Sequence, residues 1–247
     1  MILFMTSSPC DDNVPAGVHL PCIFDVSNGF VDQLRACFKP DSRLAVVCSD
    51  ACNFPLNDEM LDTFTKCFRY HGLTVSQSVV IDSRNERDAA RIVTLSDVVL
   101  LGGGHVPTQN EFFARIGLRA LLRDYTGVII GVSAGSMNCM DTVYAQPEMP
   151  GESLNPAFRR FIPGLGISAV QILPHYQMVK DNLLDGRRLF EDITYGDSFG
   201  RSFYAIPDGS YVLRRGKKYT LFGEGYLIRD GRMTQICRKD ESIDITP

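Results

Sequence analysis

The first 135 residues alternate short apolar runs with longer segments in which apolar side chains recur every three or four positions. After an N-terminal strand, the predicted strands are 44–48, 75–81, 98–101 and 127–132, and the predicted helices are 57–71, 86–95 and 109–123. Strands that are continuous apolar runs are typical of a parallel sheet covered on both faces by helices. This part of the chain therefore predicts an α/β fold.

Residues beyond 135 follow a looser pattern. Three prolines between positions 147 and 156 predict a loop-rich section that extends to about residue 163. The elements expected after it are a strand at 166–173, a helix at 182–193 and a strand at 202–206. From Tyr211 onward, short alternating runs separated by glycine turns predict an antiparallel meander. We expect a three-layer α/β/α fold with a mostly parallel central sheet, a C-terminal antiparallel meander, and a single domain over residues 1–247.

The composition narrows the classes of protein to which the chain can belong. Of its 247 residues 45% are hydrophobic, and the formal net charge of −4 does not favour nucleic acid as a partner, because phosphate binding needs a basic face. The apolar runs are far shorter than the roughly 18 residues that a membrane helix needs. No basic segment precedes the N-terminal apolar run, which argues against a secretory signal. We expect a cytoplasmic globular protein.

Eight cysteines are scattered along the chain without any Cys-x-x-Cys spacing. A core of this size needs no disulfide, and several of the cysteines lie in apolar surroundings, where a free thiol behaves as a small buried hydrophobic group. We interpret them as core residues in a reducing compartment. We expect neither a metal nor an organic cofactor.

The strongest chemical signal is a Gly-x-Ser-x-Gly motif at residues 131–135, between a predicted strand and a predicted helix. In this context the sharp strand-to-helix turn holds the serine in a strained conformation at the edge of the sheet. Its neighbours must then lack bulky side chains, as Gly131 and Gly135 do. The motif predicts that Ser133 is a nucleophile.

A second strand-to-helix junction carries three glycines at 102–104, followed by His105. Glycines at the carboxyl end of a strand leave backbone amides free to face a ligand. We expect the amides of Gly104 and Ala134 to form an oxyanion hole. A dinucleotide-binding Gly-x-Gly-x-x-Gly motif is absent, because Pro107 occupies its last position.

A serine nucleophile needs a base, and the chain has only four histidines. His175 follows a predicted strand through Pro174, which places it on the same edge of the sheet as Ser133. His105 is the rival, although its place beside the glycines favours contact with substrate. The residue patterns leave the orienting carboxylate open, the candidates being Asp141, Glu148, Glu152 and Asp208.

Together these motifs make the chain similar to peptidase family S51, the peptidase E (α-aspartyl dipeptidase) and cyanophycinase group, which has the class I glutamine amidotransferase-like, flavodoxin-like fold. The resemblance depends on the glycines at 102–104, the serine motif at 131–135, Pro-His at 174–175 and the acidic-Gly-Ser turn at 208–210. It implies a triad in which Ser133 is the nucleophile, His175 the base and Glu148 the acid. We further expect His105, Gln109 and Asp208 to contact the substrate.

The activity implied by this resemblance is hydrolysis of short peptides by acyl transfer, including peptides with an N-terminal aspartyl residue, by a monomer or homodimer. Two alternatives stay open: another serine hydrolase such as an esterase, or a binding or regulatory protein that has lost catalysis. A glutamine amidotransferase is disfavoured, because that chemistry uses cysteine where Ser133 stands.

Overall fold

A computed structural model describes all 247 residues. The strands are β1 Ile2–Thr6, β2 Cys10–Asp11, β3 Ile23–Phe24, β4 Ser42–Val47, β5 Val75–Ile81, β6 Val98–Leu101, β7 Val128–Val132, β8 Thr142–Tyr144, β9 Phe161–Pro163, β10 Gln171–Leu173, β11 Leu183–Leu184, β12 Arg187–Arg188, β13 Ser202–Ala205, β14 Tyr211–Arg215, β15 Lys218–Phe222, β16 Gly225–Arg229, β17 Arg232–Cys237 and β18 Ser242–Asp244. The α-helices are α1 Phe30–Arg35, α2 Phe54–Tyr70, α3 Ala89–Leu95, α4 Val106–Arg115, α5 Leu118–Arg123, α6 Ala134–Met137, α7 Tyr176–Val179 and α8 Tyr195–Asp197. Ser27–Gly29 and Glu86–Asp88 form 3₁₀ turns, and Leu189–Thr194 forms a π-helical turn.

The central sheet has eight strands in the order β18-β15-β14-β1-β7-β6-β4-β5. The five parallel strands are β1, β7, β6, β4 and β5. Strands β14, β15 and β18 are antiparallel to their neighbours and extend the sheet beyond β1. The middle strands are buried along most of their length, because apolar side chains face helices on both sides. This arrangement confirms the α/β fold class with its mostly parallel sheet.

A smaller second sheet has the order β10-β13-β16-β17, and a separate apolar cluster lies beneath it. Strand β10 is parallel to β13, and the remaining pairs are antiparallel. The C-terminal strands are antiparallel as predicted, but they divide between the two sheets. The reason is that β16 pairs with β13, while β14 pairs with β1.

Two predicted helices differ from the structure. The expected helix at 182–193 is wrong: a β11–β12 hairpin occupies its first half and the π-helical turn its second. The apolar residues of the π-helical turn pack in the apolar cluster beneath the second sheet. Gly186, with φ of 79°, forms the bend of the hairpin. The helix expected at 109–123 is divided into α4 and α5 at Gly117, whose φ is 65°.

None of the helices combines the length and apolar character that a membrane-spanning helix requires. Residues 145–160 contain neither helix nor strand, as the prolines in this section predict. This segment and the β11–β12 hairpin lie over the carboxyl ends of the central strands, where the candidate site is found.

Candidate active site

Ser133 occupies a sharp turn between β7 and α6. Its φ and ψ of 51° and −113° are an uncommon conformation for a residue with a side chain, and its amide donates hydrogen bonds to the carbonyls of Thr6 and Ser7. The flanking glycines allow the turn to pack closely. A Cβ on Gly135 would lie 2.2 Å from the carbonyl oxygen of Leu101, and one on Gly131 would lie 2.8 Å from the backbone of Ser136.

His175 lies beside this turn. It follows β10 and Pro174, and its own backbone is left-handed, with φ of 57°. The imidazole Nε2 is 2.8 Å from the Ser133 hydroxyl oxygen. This distance is that of a hydrogen bond, and it suits transfer of the hydroxyl proton to the ring.

The carboxylate that contacts the His175 ring is Asp208, in the turn between β13 and β14. Its Oδ1 lies 2.8 Å from Nδ1 and accepts the proton of that nitrogen, which leaves Nε2 free to accept the Ser133 proton. Asp208 also accepts hydrogen bonds from the Ser7 hydroxyl at 2.6 Å and from the Gln177 side-chain amide at 2.6 Å. The carboxylate is therefore held in one orientation.

Burial of Asp208 would by itself raise the pKa of this carboxyl group. The hydrogen bonds from His175, Ser7 and Gln177 and the charge of the imidazolium outweigh that effect, so that the pKa lies below its usual value of 3.8. The group is ionised at neutral pH. An ionised carboxylate at this position stabilises the imidazolium that forms when His175 takes a proton.

Glu148, expected as the orienting acid, has no hydrogen bond to His175. Its side chain lies in the wall of the pocket that Ser133 and His175 also line. Desolvation there, together with the charge of Glu152, raises the pKa of Glu148 above its usual value, while His105 and His175 oppose the rise. The expectation for Glu148 is therefore corrected: the carboxylate next to Nδ1 is Asp208, which is one of the four candidate acids as well as an expected substrate contact.

The two other candidate acids are engaged elsewhere. Asp141 forms a largely exposed ion pair with Arg119 at 2.6 Å. Glu152 accepts a hydrogen bond from His105 at 2.9 Å, and its second oxygen accepts bonds from the amides of Glu148 and Met149. Since the other nitrogen of His105 bonds Thr108, this histidine holds the loop that carries Glu148 and does not contact Ser133.

The glycine loop follows β6 and passes next to the serine turn. A Cβ on Gly103 would lie 3.5 Å from that of Ser133, and Gly104 lines the pocket with φ of 144°. A Cβ on Gly104 would lie 2.3 Å from the Ser49 hydroxyl, so a side chain does not fit there. The Gly104 amide has no acceptor within the protein, and Ala134 begins α6, where an amide has no partner in its own helix.

Gln109 does not reach the pocket, which corrects the expectation that it contacts the substrate. Its side chain is fully buried, donates to the Gly102 carbonyl at 2.6 Å and accepts from Asn138 at 3.0 Å. These bonds fix the glycine loop against α6. Gln109 therefore supports the shape of the loop from behind.

The pocket over Ser133 has a volume of about 200 Å³, which suits a small ligand. Most of its wall is apolar, and its charged groups are Glu148 and, when protonated, His175; no lysine or arginine lines it. A larger cavity of about 730 Å³ lies at the opposite edge of the sheet, near Thr126, and contains none of these groups. The chemistry therefore belongs to the smaller pocket.

Sequence reasoning overlooked Ser7. This residue is fully buried directly after β1, and its hydroxyl accepts the His175 amide proton at 2.7 Å while it donates to Asp208. The available signal was position: β1 is parallel to β7, so both strands end at the same edge. Ser7 joins the backbone of the histidine to the side chain of the acid.

Comparisons with known proteins show the family and the fold of the chain. The sequence model described as "Peptidase family S51" matches residues 31–222. A crystal structure of a protein from Listeria monocytogenes EGD-e, provisionally described as peptidase E, has a similar fold. Its TM-score is 0.57 at 16% sequence identity, over 95% of this chain and 98% of the other. A search of curated proteins finds no match.

Proposed function

The chain belongs to peptidase family S51 and is a serine peptidase; from this premise we propose that it hydrolyses short peptides with a Ser133-His175-Asp208 triad. The observation that carries the proposal is the continuous pair of hydrogen bonds, each 2.8 Å long, from the Ser133 hydroxyl through both nitrogens of His175 to Asp208. Such a relay activates a hydroxyl that would otherwise be a weak nucleophile.

In the proposed mechanism, Nε2 of His175 takes the Ser133 proton as the oxygen attacks the peptide carbonyl. The amides of Gly104 and Ala134 stabilise the negative charge that develops on the carbonyl oxygen. His175 then gives the proton to the leaving amine. Water next attacks the acyl carbonyl while His175 takes a proton from it, and His175 returns that proton to the Ser133 oxygen as the bond to the acyl group breaks. Asp208 keeps the ring in the required tautomer throughout.

The shape of the pocket supports short substrates. Asp185, at the bend of the β11–β12 hairpin, accepts hydrogen bonds from the Gly151 amide at 2.7 Å and from the Ser153 hydroxyl at 2.7 Å. These bonds tie the hairpin to the loop that carries Glu148, and both segments line one side of the pocket. A long peptide would meet this barrier, so an exopeptidase or dipeptidase activity fits best.

The charges of the pocket favour a particular end of the peptide. An N-terminal aspartyl side chain would need a cation, and no lysine or arginine lines the pocket. Glu148 instead offers a carboxylate that can pair with the ammonium group of a free amino terminus. We therefore propose substrates with a free amino terminus and a small neutral or apolar first side chain.

The test is a dipeptide and tripeptide panel assayed with the wild-type protein and the Ser133→Ala variant. We expect wild type to release amino acids from apolar substrates with free amino termini, and Ser133→Ala to lose at least about 10³-fold in kcat. Circular dichroism of the variant serves as the control for folding. Turnover by Ser133→Ala at the wild-type rate, or hydrolysis of esters without any hydrolysis of peptides, would contradict the proposal.

A further inference from the structure

Three of the eight cysteines meet at one point in the fold, and none of the three lines the pocket. Cys10 lies on β2, Cys22 immediately precedes β3, and Cys67 lies on α2. Their sulfur atoms all lie within 4.8 Å of one another, and Cys22 and Cys67 are buried while Cys10 is half-buried. All eight cysteines are free thiols in this structure. We propose that this three-cysteine cluster is a binding site for a thiophilic metal ion, Cu⁺ or Zn²⁺.

The spacing of the sulfurs fits a shared ion. A metal held about 2.3 Å from each sulfur, the usual zinc–thiolate distance, requires sulfurs about 3.8 Å apart in tetrahedral geometry and about 4.0 Å apart in trigonal geometry. The Cys22 and Cys67 sulfurs are 3.8 Å apart. A disulfide would need a distance of about 2.0 Å. The separation thus leaves room for an ion between the sulfurs.

The surroundings also favour soft-metal chemistry. The sulfurs belong to an apolar region that includes Phe24, Phe64 and Phe68, and such a dry shell strengthens metal–thiolate bonds. Thiolate ligands select Cu⁺ and Zn²⁺ over Mg²⁺ and Ca²⁺.

A bound ion would strengthen the link between two parts of the fold that are already joined by packing and by the hydrogen bond from the Cys67 thiol to the Cys22 carbonyl at 3.4 Å. Cys10 on β2 and Cys22 beside β3 belong to one antiparallel strand pair, whereas Cys67 belongs to the long helix α2. The amide of Cys10 donates to the Ser8 hydroxyl at 3.2 Å, next to the buried Ser7. A metal ion would therefore anchor the segment that leads out of the active site, without touching the reacting groups.

The test uses the full chain, reduced and freed of metal under anaerobic conditions, and titrated separately with Cu⁺ and Zn²⁺ against a chromophoric chelator. We expect one equivalent of at least one ion per chain, a higher melting temperature when the ion is bound, and tighter binding as pH rises, because the thiols lose their protons. The ion that binds with this stoichiometry identifies the metal. Failure of both ions to bind would overturn the proposal.

Variants locate the ion. We expect Cys10→Ser and Cys67→Ala each to weaken binding at least 100-fold, whereas Cys37→Ser, a half-buried thiol outside the cluster, leaves it unchanged. Equal binding by all the variants would contradict the assignment.

A second measurement needs no variant and so does not depend on whether the substitutions fold. Thiol alkylation of wild type, mapped by mass spectrometry, should show that the ion protects Cys10, Cys22 and Cys67 and no other cysteine. Ion-dependent protection of other cysteines, or equal alkylation of Cys10, Cys22 and Cys67 with and without the ion, would overturn the proposal. None of these measurements depends on peptidase activity, so the two proposals fail separately.

Discussion

Two carboxylates lie near the His175 imidazole, and their surroundings give them different roles. Asp208 accepts three side-chain hydrogen bonds, and its pKa lies below the usual value, whereas Glu148 has lost hydration, and its pKa lies above the usual value. The first is suited to hold an imidazolium in place. The second faces a space that a substrate can fill, and it lacks a positively charged partner of its own.

Replacing the two acids separately should distinguish these roles. We expect Asp208→Asn to lower kcat by about 10⁴-fold, because an amide donor favours the wrong tautomer of His175. Glu148→Gln is the matched control and should leave kcat within a few-fold of wild type. Steady-state kinetics on the best dipeptide measures both values. A large loss of kcat in Glu148→Gln with Asp208→Asn unaffected would restore Glu148 as the triad acid.

Glu148 should also control the pH dependence of binding. The ionised Glu148 carboxylate pairs with the substrate ammonium group. Because the pKa of Glu148 lies above its usual value of 4.5, the carboxylate gains a proton and the pairing weakens as pH falls toward this raised pKa. We expect KM to rise on the acid side in wild type. In Glu148→Gln, KM should be higher at neutral pH and should lose this acid-side dependence. An identical pH profile of KM in the two proteins would remove Glu148 from substrate binding.

At the scale of elements, the pocket is closed by two segments that have little regular structure of their own. The loop at 145–160 is held by Glu152 through the Glu148 and Met149 amides, and Asp185 ties it to the β11–β12 hairpin. Hydrogen bonds from Ser153 and the Gly151 amide lower the pKa of Asp185, so the link is charged at neutral pH. A few polar side chains therefore set the size of the pocket.

Loss of the Asp185 link should open the pocket. We expect Asp185→Ala to raise KM for dipeptides roughly tenfold and to allow cleavage of longer peptides. The reason is that the variant loses hydrogen bonds that hold the loop, and these bonds lie away from the reacting atoms. Asp192→Ala is the control, since Asp192 pairs with Arg188 and does not contact the loop. A length panel of peptides measures the effect. Unchanged length selectivity would show that the link does not limit access.

At the scale of the whole molecule, the proposed triad spans both sheets. Ser133 follows a strand of the central sheet, whereas His175 follows β10 of the second sheet and Asp208 lies between β13 and β14. The distances between these side chains thus depend on how the second sheet is supported. Part of that support is the ring of Phe203, which stacks on Tyr144 with centroids 4.5 Å apart.

Removal of this support should destabilise the protein. Phe203 is only 2% exposed, so Phe203→Ala should lower the free energy of unfolding by about 3–5 kcal/mol, and activity should be lost at lower urea concentrations than in wild type. The exposed Phe199 offers the control, since Phe199→Ala should change stability by about 0.5 kcal/mol or less. Equal unfolding midpoints for wild type and Phe203→Ala would contradict a supporting role.

Local sequence patterns are enough to predict the parallel half of the fold and the proximity of Ser133 and His175. Continuous apolar strands can be buried only in a sheet covered on both faces, and parallel strands end at one edge. The small residues around Ser133 and the apolar strand before His175 are local signals, and they were sufficient to place both side chains at that edge.

The residues that complete these features come from distant parts of the chain and are identified only in the folded structure. Asp208 in place of Glu148, the buried Ser7, the hairpin in place of the helix at 182–193, and the meeting of Cys10 with Cys22 and Cys67 all depend on how remote segments pair and pack. Local periodicity records which side of an element faces the core. It carries no information on which remote side chain lies opposite that element, because the path of the whole chain sets the distance between residues that are far apart in sequence.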